Sequence, residues 1–156
     1  MDLKELYKDI ILEHGKSPRN FGICEKYTHK AKGHNPLCGD QVQIYLKLNN
    51  EKKLENLTFE GSGCAISMAS TSIMTELLKG KSIEVTKKIV IDFLNMVKNT
   101  SEINSNVLDE DQKTKIMSLS GVKQFPMRVK CATLAWHTLT SAIEEKKEDI
   151  NIETIE

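Results

Sequence analysis

Between residues 41 and 77 the apolar side chains change their period, and that change limits what the chain can fold into. Val42, Ile44, Leu46 and Leu48 alternate with Gln41, Gln43, Tyr45 and Lys47, the period-two pattern of a strand buried on one face. Asn49, Asn50, Glu51 and Lys52 supply turn chemistry, after which Leu57 and Phe59 resume the alternation, so the stretch predicts an antiparallel hairpin. Gly61, Ser62 and Gly63 break the second strand, and Ile66, Ser70, Ile73 and Leu77 then recur at helical spacing up to Gly80. A hairpin that runs through a glycine-rich break into a helix places Cys64 at a helix N-terminus.

The remaining segments add helices around this unit. Leu3, Leu6, Tyr7, Ile10, Ile11 and His14 make an amphipathic stripe closed by Gly15 and Pro18, and residues 24–32 carry a weak extended pattern. Ser82 can cap a helix whose inner face is Ile89, Phe93, Met96 and Val97 and which fades near Asn99. Residues 99–112 are polar or acidic without periodicity and predict a solvated loop, followed by a short helix over 113–119. After Gly121 and Pro126, a last helix carries Val129, Ala132, Trp136, Leu139 and Ile143 as its apolar stripe. One domain over 1–147 is expected, with 148–156 as an acidic, frayed tail.

Lysine plus arginine balances aspartate plus glutamate at 22 each, and only 5% of residues are aromatic. Neither a phosphate-neutralising surface nor a base-stacking platform is present in that balance, which argues against nucleic acid as a partner. No apolar run approaches the roughly 20 residues of a membrane helix and no export signal is evident, so the cytosol is the expected compartment. There the four cysteines would be reduced and available for metal or sulfur chemistry.

Cys38-Gly39-Asp40 lies just before the first clear strand. Residues two apart in extended chain face the same way, so the Cys38 sulfur and the Asp40 carboxylate can converge on one ion. A helix N-terminus stabilises a thiolate at Cys64, lowering a pKa that otherwise lies near ~8.5. Cys131 follows Arg128 and Lys130, whose charges are expected to favour its thiolate and to offset the charge of a ligand set or help docking. Three thiolates and a carboxylate suit zinc, and the thiolates also suit iron in a sulfide cluster. Spacings of 26 and 67 residues between these cysteines leave packing and metal binding both open. Cys24 reads as a packing residue, and His14, His29, His34 and His137 lack metal-motif spacing, with His34 kept as an occasional ligand or proton carrier.

Taken in order, several blocks resemble the IscU/SufU family of iron–sulfur cluster assembly proteins, and its SufU branch in particular. They are Leu6-Tyr7 through His14, Ser17-Pro18-Arg19-Asn20, Asn35-Pro36-Leu37-Cys38-Gly39-Asp40, the run from Phe59 to Ser70, Gly121-Val122, Phe125-Pro126, and Arg128 to Leu134 with Trp136. Lys130 stands where IscU proteins carry histidine, a loop lengthens the stretch between Cys64 and Cys131, and the Leu-Pro-Pro-Val-Lys chaperone motif is absent.

The resemblance implies an α+β fold, a small antiparallel sheet of about three strands packed against several helices. It also implies a zinc site at Cys38, Asp40, Cys64 and Cys131 and a pyridoxal-phosphate-dependent, SufS-like cysteine desulfurase as partner, with downstream cluster-assembly proteins. The expected activity is sulfur acceptance: Cys38, freed from the metal, takes persulfide sulfur while the other three ligands retain the ion. Iron or a [2Fe–2S] cluster on the same four residues is the scaffold alternative. A zinc-stabilised interaction module without sulfur chemistry is the reading of another class. On any of these the chain is a carrier or scaffold rather than a turnover enzyme, a sulfurtransferase if classed by its transfer step.

Overall fold

The computed structural model describes residues 2–98, 103 and 107–155. Asp2 caps the first helix, α1 (Leu3–Lys16), by accepting from the Glu5 N–H at 2.9 Å. Strands β1 (His29–Asn35), β2 (Asp40–Leu48) and β3 (Leu54–Ser62) follow, then α2 (Ala65–Leu78) and α3 (Ile83–Lys98). The chain continues with α4 (Glu110–Ser118), a 3-10 turn (Leu119–Val122), α5 (Pro126–Ile143), the short strand β4 (Ile150–Asn151) and the terminal turn of helix α6 (Ile152–Ile155). Among the described residues no helix is long and apolar enough to cross a membrane.

The architecture is α+β, and the sheet has four strands in the order β3-β2-β1-β4. β1, β2 and β3 are antiparallel neighbours, while β4 lies parallel to β1 with Gly33 opposite Ile150. Register places Ile44 opposite Phe59 and Leu46 opposite Leu57, so one face of the hairpin is a continuous apolar layer. α2 and α5 pack on that layer, and all four of those side chains are fully buried.

α2 is buried nearly all round, wider than the four-residue stripe that its sequence suggested, because α1 covers one side and α5 another. Its small polar side chains make that burial possible by bonding inside the fold. Thr71 donates to the Ser67 carbonyl at 2.7 Å, and Ser70 Oγ accepts the Trp136 indole N–H at 2.9 Å. Trp136 stacks on Phe93 with ring centroids 4.0 Å apart, joining α5 to α3.

Three segments depart from the sequence expectation. The extended stretch expected over 24–32 starts later, as β1 over His29–Asn35. The loop expected over 99–112 ends sooner: Asp109 and Gln112 form a reciprocal capping box that starts α4 at Glu110, and Ile103 and Leu108 are buried. The rest of that expectation, on residues 99–102 and 104–106, lies outside the described residues. The tail expected to fray from 148 instead docks, with β4 adding to the edge of β1 and Ile152 fully buried. Its acidic composition masks Ile150, which joins the open sheet edge, and Ile152, which is buried at the start of α6.

Candidate metal centre

Asn35 and Asp40 are paired at the end of the β1–β2 ladder, so residues 36–39 form the connecting turn and Cys38 is presented on it, exposed. Asn35 organises this turn from a fully buried position: its carbonyl accepts from Gly39 N–H at 2.8 Å and its Oδ1 accepts from Leu37 N–H at 3.2 Å. Gly39 has φ +73°, a conformation that lets the chain re-enter β2 directly after the cysteine.

Asp40 begins β2 with its side chain fully buried, a costly placement for a carboxylate unless it is bonded. Its Oδ1 accepts the Cys64 N–H at 2.8 Å. Gly63 is what permits the approach: its φ is +149°, and a Cβ there would fall 2.3 Å from Asp40 Oδ1. The glycine-rich break seen in the sequence is therefore the wall of a carboxylate pocket.

Cys64 is the N-cap of α2, and its sulfur accepts from the Ser67 N–H at 3.4 Å while lying 3.9 Å from Asp40 Oδ2. Its thiol is brought down to about 7, first by a hydrogen bond from Cys131 and then by backbone N–H groups, against burial and the Asp40 charge. Cys131, on the second turn of α5, is 4% exposed and sits 3.6 Å from the Cys38 sulfur. Asn35 Nδ2 points at the same Cys131 sulfur from 3.8 Å. The Cys131 thiol is pushed up, by its bond to Cys64, by burial and by Asp40.

Arg128 and Lys130, expected to favour the Cys131 thiolate, are not among the groups that govern its protonation. Both basic side chains are engaged elsewhere: the Arg128 guanidinium lies 4.3 Å over the Phe125 ring and bonds Tyr7, and Lys130 pairs with Glu153 of the docked tail at 3.1 Å. His34 falls on the other face of β1 from Asn35, beside Lys32, Gln43 and Glu60, away from the cysteines.

Ligand atoms of Cys38, Asp40 and Cys131 all lie within 4.8 Å of one another. Cys64 adjoins this group through Asp40 and Cys131. At Zn–S lengths of about 2.3 Å, two thiolates on a tetrahedral ion stand about 3.8 Å apart, and Cys38 and Cys131 are at 3.6 Å. The donor set fits zinc or an iron–sulfide cluster. Beside it runs a largely apolar groove of about 430 Å³ lined by Tyr7, Ile11, Leu12, Cys64, Ile66 and Arg128 among others. Asn35 and Glu153 are the contributors that sequence reasoning assigned no role. Asn-Pro at 35–36 was a legible turn signal, whereas nothing local in the tail marks Glu153 as a partner for Lys130.

Residues 6–150 match the family model of the NifU-like N-terminal domain. The chain is similar to the zinc-dependent sulfurtransferase SufU of Bacillus subtilis (strain 168), at 37% identity over 146 residues, covering 94% of this chain and 95% of that protein. It is also similar to the iron–sulfur cluster assembly scaffold protein IscU of Streptococcus pyogenes serotype M1, at 36% identity over 142 residues, covering 91% and 85%. Among solved structures, FiSufU from Fervidobacterium islandicum AW-1 gives a TM-score of 0.76 at 34% identity, covering 89% of this chain and 97% of that one. A NifU-like N-terminal protein from Brucella abortus gives 0.78 at 20% identity, covering 94% and 99%, a likeness of fold.

Proposed function

This chain belongs to the NifU-like N-terminal domain family and is an iron–sulfur cluster assembly protein; on that premise we propose that it accepts sulfur on Cys38 from a pyridoxal-phosphate-dependent cysteine desulfurase. In this reading Cys38, Asp40, Cys64 and Cys131 hold zinc. The observation that carries the proposal is the asymmetry within one ligand cluster: Cys38 is exposed on a turn, while Asp40 and Cys131 are buried behind it. Cys38 is the exposed sulfur of that cluster, which a second protein can reach without unpacking the fold, whereas Cys64 is only partly exposed.

Bound zinc would keep the ligating cysteines as thiolates and guard them from adventitious oxidation. The protein's own residues do the rest. Asn35 and Gly39 shape the turn that offers Cys38 outward, and the Cys38 thiolate attacks the terminal sulfur of the desulfurase persulfide, breaking its S–S bond and releasing the desulfurase cysteine as a thiolate. Asp40, anchored by the Cys64 N–H, keeps the floor of the site in place during the exchange. Tyr7, Ile11, Leu12 and Ile66 provide apolar docking area beside Cys64, with Arg128 also lining the groove. Lys130 serves charge balance only if the partner draws it from Glu153.

The test is the metal and acid-labile sulfide content of protein purified without oxygen, followed by persulfide transfer from a desulfurase to wild type and to Cys38→Ala. A single zinc per chain without sulfide, and loss of transfer in Cys38→Ala, are the expected results. Full-rate transfer to Cys38→Ala would move the acceptor role to Cys131.

A second reading, a scaffold for a [2Fe–2S] cluster on the same four residues, is favoured by Asp40. A carboxylate is a weaker ligand to a soft centre than a thiolate and eases release. Iron and sulfide in equal amounts in the anaerobic protein would make it the primary one.

A further inference from the structure

The sulfurs of Cys38 and Cys131 are in contact, 3.6 Å apart, and the acceptor role of Cys38 does not use that contact. Resting on the reading of Cys38 as sulfur acceptor, we infer that Cys131 is a resolving thiol, which attacks the inner sulfur of a Cys38 persulfide when it is not itself ligated and releases the outer sulfur as hydrogen sulfide. The reaction balances without a further oxidant. The bond between the two persulfide sulfurs breaks, and a Cys38–Cys131 disulfide forms. The outer sulfur departs with the electron pair of the broken bond and takes up the Cys131 thiol proton. Two electrons, supplied by the pair of cysteines, thus turn sulfane sulfur into sulfide, the oxidation state a cluster needs.

Geometry selects Cys131 for this step. The inner sulfur of the persulfide is the Cys38 Sγ that Cys131 already touches, and Asn35 Nδ2 donates to the Cys131 sulfur. Cys64 also takes a hydrogen bond from Cys131, but its sulfur is held by the Ser67 N–H and lies against Asp40. Closing to a disulfide length near 2.05 Å needs an approach of about 1.5 Å. The exposed turn over residues 36–39 can supply that movement, because α5 is fixed by the fully buried Ala132 and Leu134 next to Cys131. Two outlets for sulfur follow: a chain whose Cys131 is ligated passes its sulfane sulfur on intact, and one whose Cys131 is free discharges it as sulfide.

The experiment loads the full-length metal-bound chain with a cysteine desulfurase and radiolabelled cysteine, removes the enzyme, and adds a zinc chelator without oxygen. The expected result is release of labelled sulfide, a final mass two hydrogens below the reduced chain, and a Cys38–Cys131 linked peptide. In Cys131→Ser and Cys131→Ala, release should slow by about tenfold or more while the label stays on Cys38. The linked peptide in wild type needs no variant and so does not depend on either variant folding. Label that persists on Cys38 after chelation, or a linkage to Cys64 in place of Cys131, overturns the resolving role. A chain that never takes label on Cys38 overturns the acceptor reading on which this rests.

Discussion

Cys38 and Cys131 meet across 3.6 Å, yet they are held by two different kinds of structure. Cys38 rides on a turn fixed at its base by the hydrogen bonds of Asn35 and otherwise open to solvent. Cys131 belongs to a helix whose next residues, Ala132 and Leu134, are fully buried and whose Trp136 is locked between Phe93 and Ser70. One side of the site is open to movement while the other is held in place by packing. The difference teaches that a site of this kind draws reach from backbone hydrogen bonding and rigidity from side-chain packing, so substitutions on the two sides should fail differently.

The largest effect is expected from Trp136→Ala, which removes a fully buried ring and its N–H bond and should cost about 3–5 kcal/mol. Chemical denaturation of the metal-free chain checks it, and a loss below about 1 kcal/mol would show that α5 is not the rigid side. Next comes Gly63→Ala, whose Cβ would collide with Asp40. Overpacking of this sort costs about 1–3 kcal/mol, and it should lower metal affinity as well, because the displaced group is a candidate ligand. Competition with a chromogenic chelator separates the two losses.

A pH effect probes the support behind both sides. His14 is 1% exposed beside Ser72, and burial, aided by Arg19, lowers its pKa below the ordinary 6.5. The unfolded chain therefore binds this proton more readily than the folded one. Stability from this group is complete above pH 6.5 and is lost as pH falls below that value toward the folded pKa. Denaturation midpoints between pH 7 and 5 should fall less steeply in His14→Gln than in wild type. The smallest effect belongs to Glu153→Gln: the Lys130–Glu153 pair is partly exposed, and such pairs contribute about 0.2–1 kcal/mol. Amide exchange at Ile150 and Ile152 should rise while the denaturation midpoint hardly moves.

Much of this arrangement could be read before any coordinates. The hairpin of β2 and β3 declared itself through strict alternation, and the helix-capping position of Cys64 followed from Gly61, Ser62 and Gly63. Both are local consequences of side-chain period and backbone freedom. Cys131 could be nominated, but its protonation could not. Charge counting along the chain saw Arg128 and Lys130 three residues and one residue away, whereas their partners Tyr7 and Glu153 are set by tertiary packing. The fourth strand was hidden for a related reason. Two residues of β4 are too few to show a period, and what orders them is the open edge of β1, a feature that exists only once the sheet has formed.

The sequence separation of the two facing cysteines, 93 residues, has a thermodynamic consequence of its own. Any bridge between them, through a shared ion or a direct bond, closes a loop on that scale in the unfolded chain and removes conformational freedom worth about 4–5 kcal/mol in the chain-entropy model. The melting temperature of this protein should therefore act as a gauge of what occupies its site, rising when the two sulfurs are joined and dropping when they are parted.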